Sequence, residues 1–182
     1  QSQEKVRIFT APSGFAYDLF RPLEKILAAH PECAGKVQFT AADLDPHGVL
    51  KSELEARAAK LGIAFTFLRG DLTKAEFQEQ CAAGGPYDVA LFVGLSSWFP
   101  KPATVRHLEW LRAHLRDDGL LVTDCFTPAA YAYSGRYIGY KAHYYEPATY
   151  RMILDRCGFD GLHAPVTSGR DGINHVVLAR VR

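Results

Sequence analysis

The chain has little of what staples small proteins together. Its four cysteines, Cys33, Cys81, Cys125 and Cys157, lie far apart, with no Cys-x-x-Cys pair and no cysteine–histidine cluster. Such spacing offers neither a structural zinc set nor a disulfide framework, so no metal is expected, and free thiols fit a reducing, cytoplasmic setting. Apolar runs long enough to cross a bilayer, about 18 residues or more, are absent, so no membrane partner is expected. The first five residues, Gln1 to Lys5, lack the apolar stretch of a secretory leader. Charge of either sign is not in excess: 21 lysines and arginines face 20 acidic residues, a formal net of +1. No bulk field therefore draws the chain to nucleic acid or anionic lipid. Internal repeats and low-complexity tracts are missing too, and no Gly-x-Gly-x-x-Gly follows the first strand pattern, which argues against a nicotinamide dinucleotide site.

What is present is ordinary for one globular domain over residues 1–182: 48% apolar and 23% charged residues. Short apolar runs alternate with helical patterns. Val6–Thr10 reads as a strand, followed by turn-rich Ala11-Pro12-Ser13-Gly14 and a helix from Phe15 to about His30 with apolar Leu19, Leu23, Ile26 and Leu27. Val37–Asp43 is a second strand, and its helix sets Leu50, Leu54, Ala58 and Leu61 on one face before Gly62 stops it. Phe65–Leu68 and Val89–Val93 are further strands, with a short helix near 74–83 between them. A helix near 103–115 leads to a fifth strand, Leu120–Phe126, and residues 127–146 read as irregular or inserted. A helix near 147–157 and strands near 161–166 and 175–181 close the chain.

This order predicts an α/β fold: a doubly wound, mostly parallel seven-stranded sheet, closed by an antiparallel hairpin around Ser168–Gly172. Ligands of such sheets bind outside the carboxyl ends of the strands. The residues there are Thr10-Ala11-Pro12-Ser13-Gly14, then Asp43-Leu44-Asp45-Pro46, Gly70-Asp71-Leu72, Gly94-Leu95, and Asp124.

In order and spacing this set resembles the class I S-adenosylmethionine-dependent methyltransferases, across nearly the whole chain from Val6. The resemblance implies a Rossmann-like methyltransferase domain with S-adenosylmethionine as cofactor. It places Thr10, Ala11, Pro12, Ser13 and Gly14 under the cofactor's amino-acid part. It gives Asp43, with Leu44, the ribose hydroxyls; two carboxylate oxygens can accept two hydroxyl donors at once. Gly70, Asp71 and Leu72 meet the adenine, and Gly94 and Leu95 line the transfer site. One departure stands out. The family's first loop is typically acidic-x-Gly-x-Gly-x-Gly, whereas here it has one glycine and no acid. Asp43, Asp45 and Asp71 are also plausible as helix-capping acids, Asp45 above all.

Six of the nine tyrosines lie between Tyr131 and Tyr145, after the fifth strand. Rings with polar tips suit a small, partly apolar or aromatic substrate, so Trp98, Phe99, Tyr137, Tyr140 and Tyr144 are the substrate-binding candidates. Methyl transfer needs in-line placement of nucleophile and methyl, and a base only for a protonated nucleophile. Asp124 and His143 are candidates for that catalytic role, while His107 and His114 read as surface. Tyr17 and Arg21 are further candidates beside the cofactor carboxylate. Few residues precede the first strand, where family members often carry helices that roof the substrate site. The chain therefore reads as complete with a roof from a homodimer partner, or as the core or C-terminal part of a longer protein. A non-catalytic domain of the same fold, serving as an interaction module in a larger protein, is the alternative reading.

Overall fold

The structure, a computed structural model, describes residues 5–139, 142–169 and 172–182. Along them run β1 (Val6–Thr10), α1 (Tyr17–Ala29), a 3-10 turn (Pro31–Lys36), β2 (Val37–Asp43), α2 (Val49–Leu61), β3 (Ala64–Arg69) and α3 (Ala75–Ala82). There follow β4 (Tyr87–Phe92), α4 (Lys101–His114), β5 (Leu115–Phe126), α5 (Ala129–Ile138), α6 (Pro147–Arg156), β6 (Val166–Ser168) and β7 (Asn174–Arg180). The strands form a seven-stranded sheet in the order β3-β2-β1-β4-β5-β7-β6. β1, β2 and β3 are parallel neighbours, with Val6 opposite Val37 and Gln38 opposite Ala64. β7 runs antiparallel to both β5 and β6, which is the closing hairpin that the sequence order predicts. The chain divides into two compact units, residues 1–88 and 89–182.

In the first unit β2 is covered on both faces, with Val37, Phe39, Thr40, Ala41 and Ala42 all buried. Burial on both faces is what a central strand of a parallel sheet experiences. β3, at the sheet edge, is more exposed. Helix α1 buries Leu19, Phe20, Leu23 and Leu27, and its Phe20 ring meets Phe39 edge-on at 5.6 Å. Each such ring removed from water stabilises the unit by roughly 1.5–3 kcal/mol. Gly62, at φ +66°, ends α2 as expected. Its N–H donates to the Ala59 carbonyl, and the Ile63 N–H to that of Ala58, two bonds that satisfy carbonyls the helix itself leaves open.

In the second unit α6 contributes Tyr150, Ile153 and Leu154 to the core, and α4 contributes Leu108 and Leu111. Tyr150 is fully buried, and its hydroxyl has to find a partner there. It lies 2.8 Å from Thr123 Oγ1, which donates its own proton to the Phe92 carbonyl at 2.8 Å. Tyr150 therefore donates to Thr123, in a relay that ends on β4. Burial raises the Tyr150 phenol above its ordinary value.

Several expectations need correction. Helix α1 starts at Tyr17 rather than Phe15, because Gly14 and Ala16 are both left-handed, at φ +45° and +46°. Ile26 faces outward, exposed. Residues 127–146 are not simply irregular: α5 forms there, started by the Thr127-Pro128 turn and helped by the alanines at 129, 130 and 132. The penultimate strand is Val166–Ser168, shorter and later than 161–166. Residues 161–163 turn instead, pinned to α6 by Arg151, whose guanidinium donates to the Gly161 and Leu162 carbonyls. His107 is not on the surface. It is buried, stacked on Phe99 at 4.7 Å and 5°, with its Nδ1–H donated to the Ala103 carbonyl.

Two stability experiments follow from these interiors. Thr123→Val removes both the acceptor of the Tyr150 hydroxyl and a donor to the Phe92 carbonyl, at a cost of about 1–3 kcal/mol. It should destabilise more than Tyr150→Phe in urea denaturation; the reverse order would contradict the relay. The second concerns the thiols. Burial pushes Cys81 and Cys125 up to about 12 and Cys157 up to about 11, whereas Cys33 is only half-buried. Titration of the native protein with a disulfide reagent near pH 8 should label Cys33 first, and the other three only on unfolding.

Candidate cofactor and acceptor sites

The first unit brings the carboxyl ends of β1, β2 and β3 together through Asp43. This half-buried residue ends β2. Its Oδ2 accepts the Gly14 N–H at 2.9 Å and the Ser13 hydroxyl at 3.5 Å, both from the loop after β1. Its Oδ1 accepts the Asp45 N–H at 3.4 Å, and its carbonyl accepts the Gly70 N–H, after β3, at 3.0 Å. The loop itself is packed inward: Thr10, Ala11 and Ser13 are buried, the Ala11–Pro12 peptide is cis, and the Ser13 N–H donates to the Ala42 carbonyl. A Cβ added at Gly14 would meet nothing within 4 Å, so the loop is open at that point.

The acids around Asp43 divide by role. Asp45 is 4% exposed, at φ +33°. Its two oxygens accept the N–H groups of Leu50 and Lys51, both at 3.1 Å, so it caps α2. Burial opposes its charge, but the N–H groups of Lys51, Leu50 and Val49 and the nearby Arg69 charge outweigh burial and hold the carboxyl below its ordinary value. Asp71 also works locally. Its Oδ1 accepts the Thr73 N–H at 2.9 Å and the Thr73 hydroxyl at 2.7 Å, a turn that leads into α3. Gly70 beside it leaves no room for a side chain, because a Cβ would run into the Phe77 ring. Leu72 is half-buried and Leu44 exposed. Tyr17 is exposed beneath the Arg57 guanidinium at 4.3 Å, with Arg21 at 5.8 Å.

The second unit repeats the device. Asp124, 1% exposed, accepts the Gly94 N–H at 2.8 Å through Oδ1. Gly94 is at φ +79°, and the Ser96 hydroxyl donates to the Asp124 carbonyl at 2.6 Å. A carboxylate so enclosed fixes the loop after β4 and is poorly placed to take a proton from a solvent-borne acceptor. Leu95 is half-buried and accepts the Trp98 N–H in a turn that leaves Trp98 59% exposed. Phe99 faces α4 and stacks on His107. His143 is exposed, and its N–H donates to the Ser97 carbonyl at 2.7 Å, which ties the tyrosine segment to the loop after β4. Tyr144, half-buried, meets Tyr131 edge-on at 6.0 Å. Tyr137 is 76% exposed, and Tyr140 lies outside the described residues. Tyr131 joins this group although the sequence marks it only by its place in the tyrosine cluster. Among the described residues, no group of three or more His, Cys, Asp or Glu side chains is arranged to hold a metal ion. No helix there is long and apolar enough to cross a membrane.

No protein-family profile matches the chain, and no curated protein matches it in sequence. Solved structures do match in fold. The architecture is that of the class I S-adenosylmethionine-dependent methyltransferases. Magnesium protoporphyrin IX methyltransferase from Synechocystis PCC 6803, with bound S-adenosylhomocysteine, is 18% identical, with a TM-score of 0.67 over 98% of this chain and 75% of that one. A carbon methyltransferase, DszA, is 17% identical, with a TM-score of 0.72 over 100% of this chain and 48% of that one. A possible exported protein from Bordetella parapertussis is 19% identical, with a TM-score of 0.72 over 98% of this chain and 62% of that one. The chain thus spans between 48% and 75% of the length of these structures.

The Asp45 cap has a pH signature. A carboxyl lowered by folding contributes stability in full above its ordinary value of 3.8, and that stability is lost as pH falls through the lowered value. Asp45→Asn should therefore lower stability at neutral pH and flatten the acid limb of a urea-midpoint-against-pH curve. An acid limb as steep as the wild type's would exclude the cap.

Proposed function

We propose that the chain carries out S-adenosylmethionine-dependent methyl transfer to a small, partly apolar or aromatic acceptor. The observation that carries this reading is the half-exposed Asp43 carboxylate at the end of β2, bonded to the loop after β1, in a fold shared with methyltransferases. The residues present fit the cofactor. Asp43 keeps acceptor capacity beyond its backbone donors, as a carboxylate offers about four lone-pair positions. Gly14 leaves its side of the loop open. The cofactor, when bound, supplies a methyl group on a positively charged sulfonium.

In this reading Thr10 to Gly14 bound the amino-acid part and Asp43 accepts the ribose hydroxyls. Gly70 and Leu72 line the adenine, with Asp71 shaping their turn, and Gly94 and Leu95 border the transfer site. Trp98, Tyr131, Tyr137 and Tyr144 offer ring faces to the acceptor, and Phe99 supports them from the α4 side. The geometry favours His143 over Asp124 as the group that takes a proton, since the imidazole is exposed and the carboxylate enclosed. A further domain or a second copy of the chain completes the acceptor enclosure; the greater length of the matched structures supports this part. The setting is cytoplasmic, a reading supported by four cysteines that are all free thiols.

Calorimetric titration with S-adenosylmethionine and with S-adenosylhomocysteine tests the proposal. Both should bind saturably, and Asp43→Ala should weaken S-adenosylhomocysteine by about tenfold or more, a change of about 1.4 kcal/mol. If neither ligand binds at about millimolar concentration, the reading fails. The non-catalytic domain then becomes the better account, consistent with the single glycine of the first loop.

A further inference from the structure

The loop after β1 lacks the glycines that would let its backbone turn freely, yet it turns sharply. Gly14 and Ala16 both take left-handed angles, and for alanine that conformation is unfavourable because its Cβ crowds the backbone. Something outside the loop must offset this cost. The Ser13 N–H donates to the Ala42 carbonyl at 3.0 Å, and the Ala16 N–H to the Ser13 carbonyl at 2.9 Å. Two further bonds go to an ion: Gly14 N–H at 2.9 Å and the Ser13 hydroxyl at 3.5 Å both reach Asp43 Oδ2. Hydrogen bonds to a carboxylate are about twice as strong as neutral ones. Asp43 is itself held on its far side, because Asp45 N–H reaches Oδ1 and Gly70 N–H reaches its carbonyl.

We propose that Asp43 is a positioning residue for the first loop: through the Gly14 N–H its carboxylate holds Thr10–Gly14 in a ligand-ready shape, a task separate from any bond it makes to ribose. This extends the reading of the preceding section and rests on it only for the ligand used as probe. Every partner in the latch belongs to the chain itself. Cofactor affinity then depends on Asp43 twice, once directly and once through the loop.

A ligand without ribose hydroxyls separates the two. The wild-type chain, Asp43→Ala and Asp43→Asn are titrated calorimetrically with S-adenosylhomocysteine and with its 2′,3′-dideoxy analogue. Exchange of the Gly14 amide is followed by NMR in the ligand-free proteins. The expected result is that Asp43→Ala binds the dideoxy analogue about fivefold or more weakly than wild type, with a smaller loss for Asp43→Asn, and that Gly14 exchanges about tenfold faster in both variants. If the variants weaken S-adenosylhomocysteine but leave the dideoxy analogue within about twofold of wild type, Asp43 acts on ribose alone and the proposal is overturned. Should Asp43→Ala not fold, Asp43→Asn gives the same comparison. If the wild type binds neither ligand, the methyltransferase reading fails on its own account. Gly14 exchange then decides the latch, and unchanged exchange in Asp43→Asn overturns it.

Discussion

A carboxylate at the end of a buried strand has to be surrounded by hydrogen-bond donors, and in this protein the donors are the loops themselves. Asp43 at the end of β2 collects the Gly14 N–H from the loop after β1. Asp124 at the end of β5 collects the Gly94 N–H from the loop after β4. In both cases the donor is a glycine at positive φ, and in both the acid is followed by further bonds to a serine of the same loop or its own carbonyl. The need to satisfy a strand-end charge thus sets where each loop lies, and the loops set which side chains stand at the carboxyl edge. Cap, turn and relay are versions of the same solution: Asp45 on α2, Asp71 on Thr73, and Thr123 between Tyr150 and Phe92.

The two candidate regions differ in how they are built. The cofactor side in the first unit is mostly backbone, with one acid and small residues, so its geometry is tightly determined by the strands that carry it. The acceptor side in the second unit is made of large rings on a loop and a helix, with Trp98 and Tyr137 largely exposed. Exposed rings of this sort have apolar area to give to a partner or an acceptor. The His143 N–H on the Ser97 carbonyl is one fixed point in their placement.

The fold was largely legible because strand period, helix spacing and glycine stops agree with one another. β1 and β2 are bounded as their apolar runs imply, and Gly62 ends α2 as read. What escaped was tertiary. His107 looks like a surface residue on a helix, and only stacking on Phe99 reveals it as core. The start of α1 depends on two left-handed residues that no propensity encodes for alanine. Residues 129–138 hide a helix behind tyrosines whose helix propensity is modest. Within the candidate site the sequence marks the positions Asp43, Asp71 and Asp124 but not their partners. The difference between a turn former and a loop anchor lies in which N–H faces the carboxylate.

The raised thiols have a meaning beyond packing. A thiolate is the strongest nucleophile among common side chains, and in the proposed reading the chain would bind an alkylating donor that an exposed thiolate could consume. Burial keeps Cys81, Cys125 and Cys157 protonated far above neutral pH, and Cys125 is the residue next to Asp124 at the end of β5. The same apolar interior that stabilises the sheet therefore also keeps the Cys125 sulfur, beside Asp124 in sequence, chemically silent.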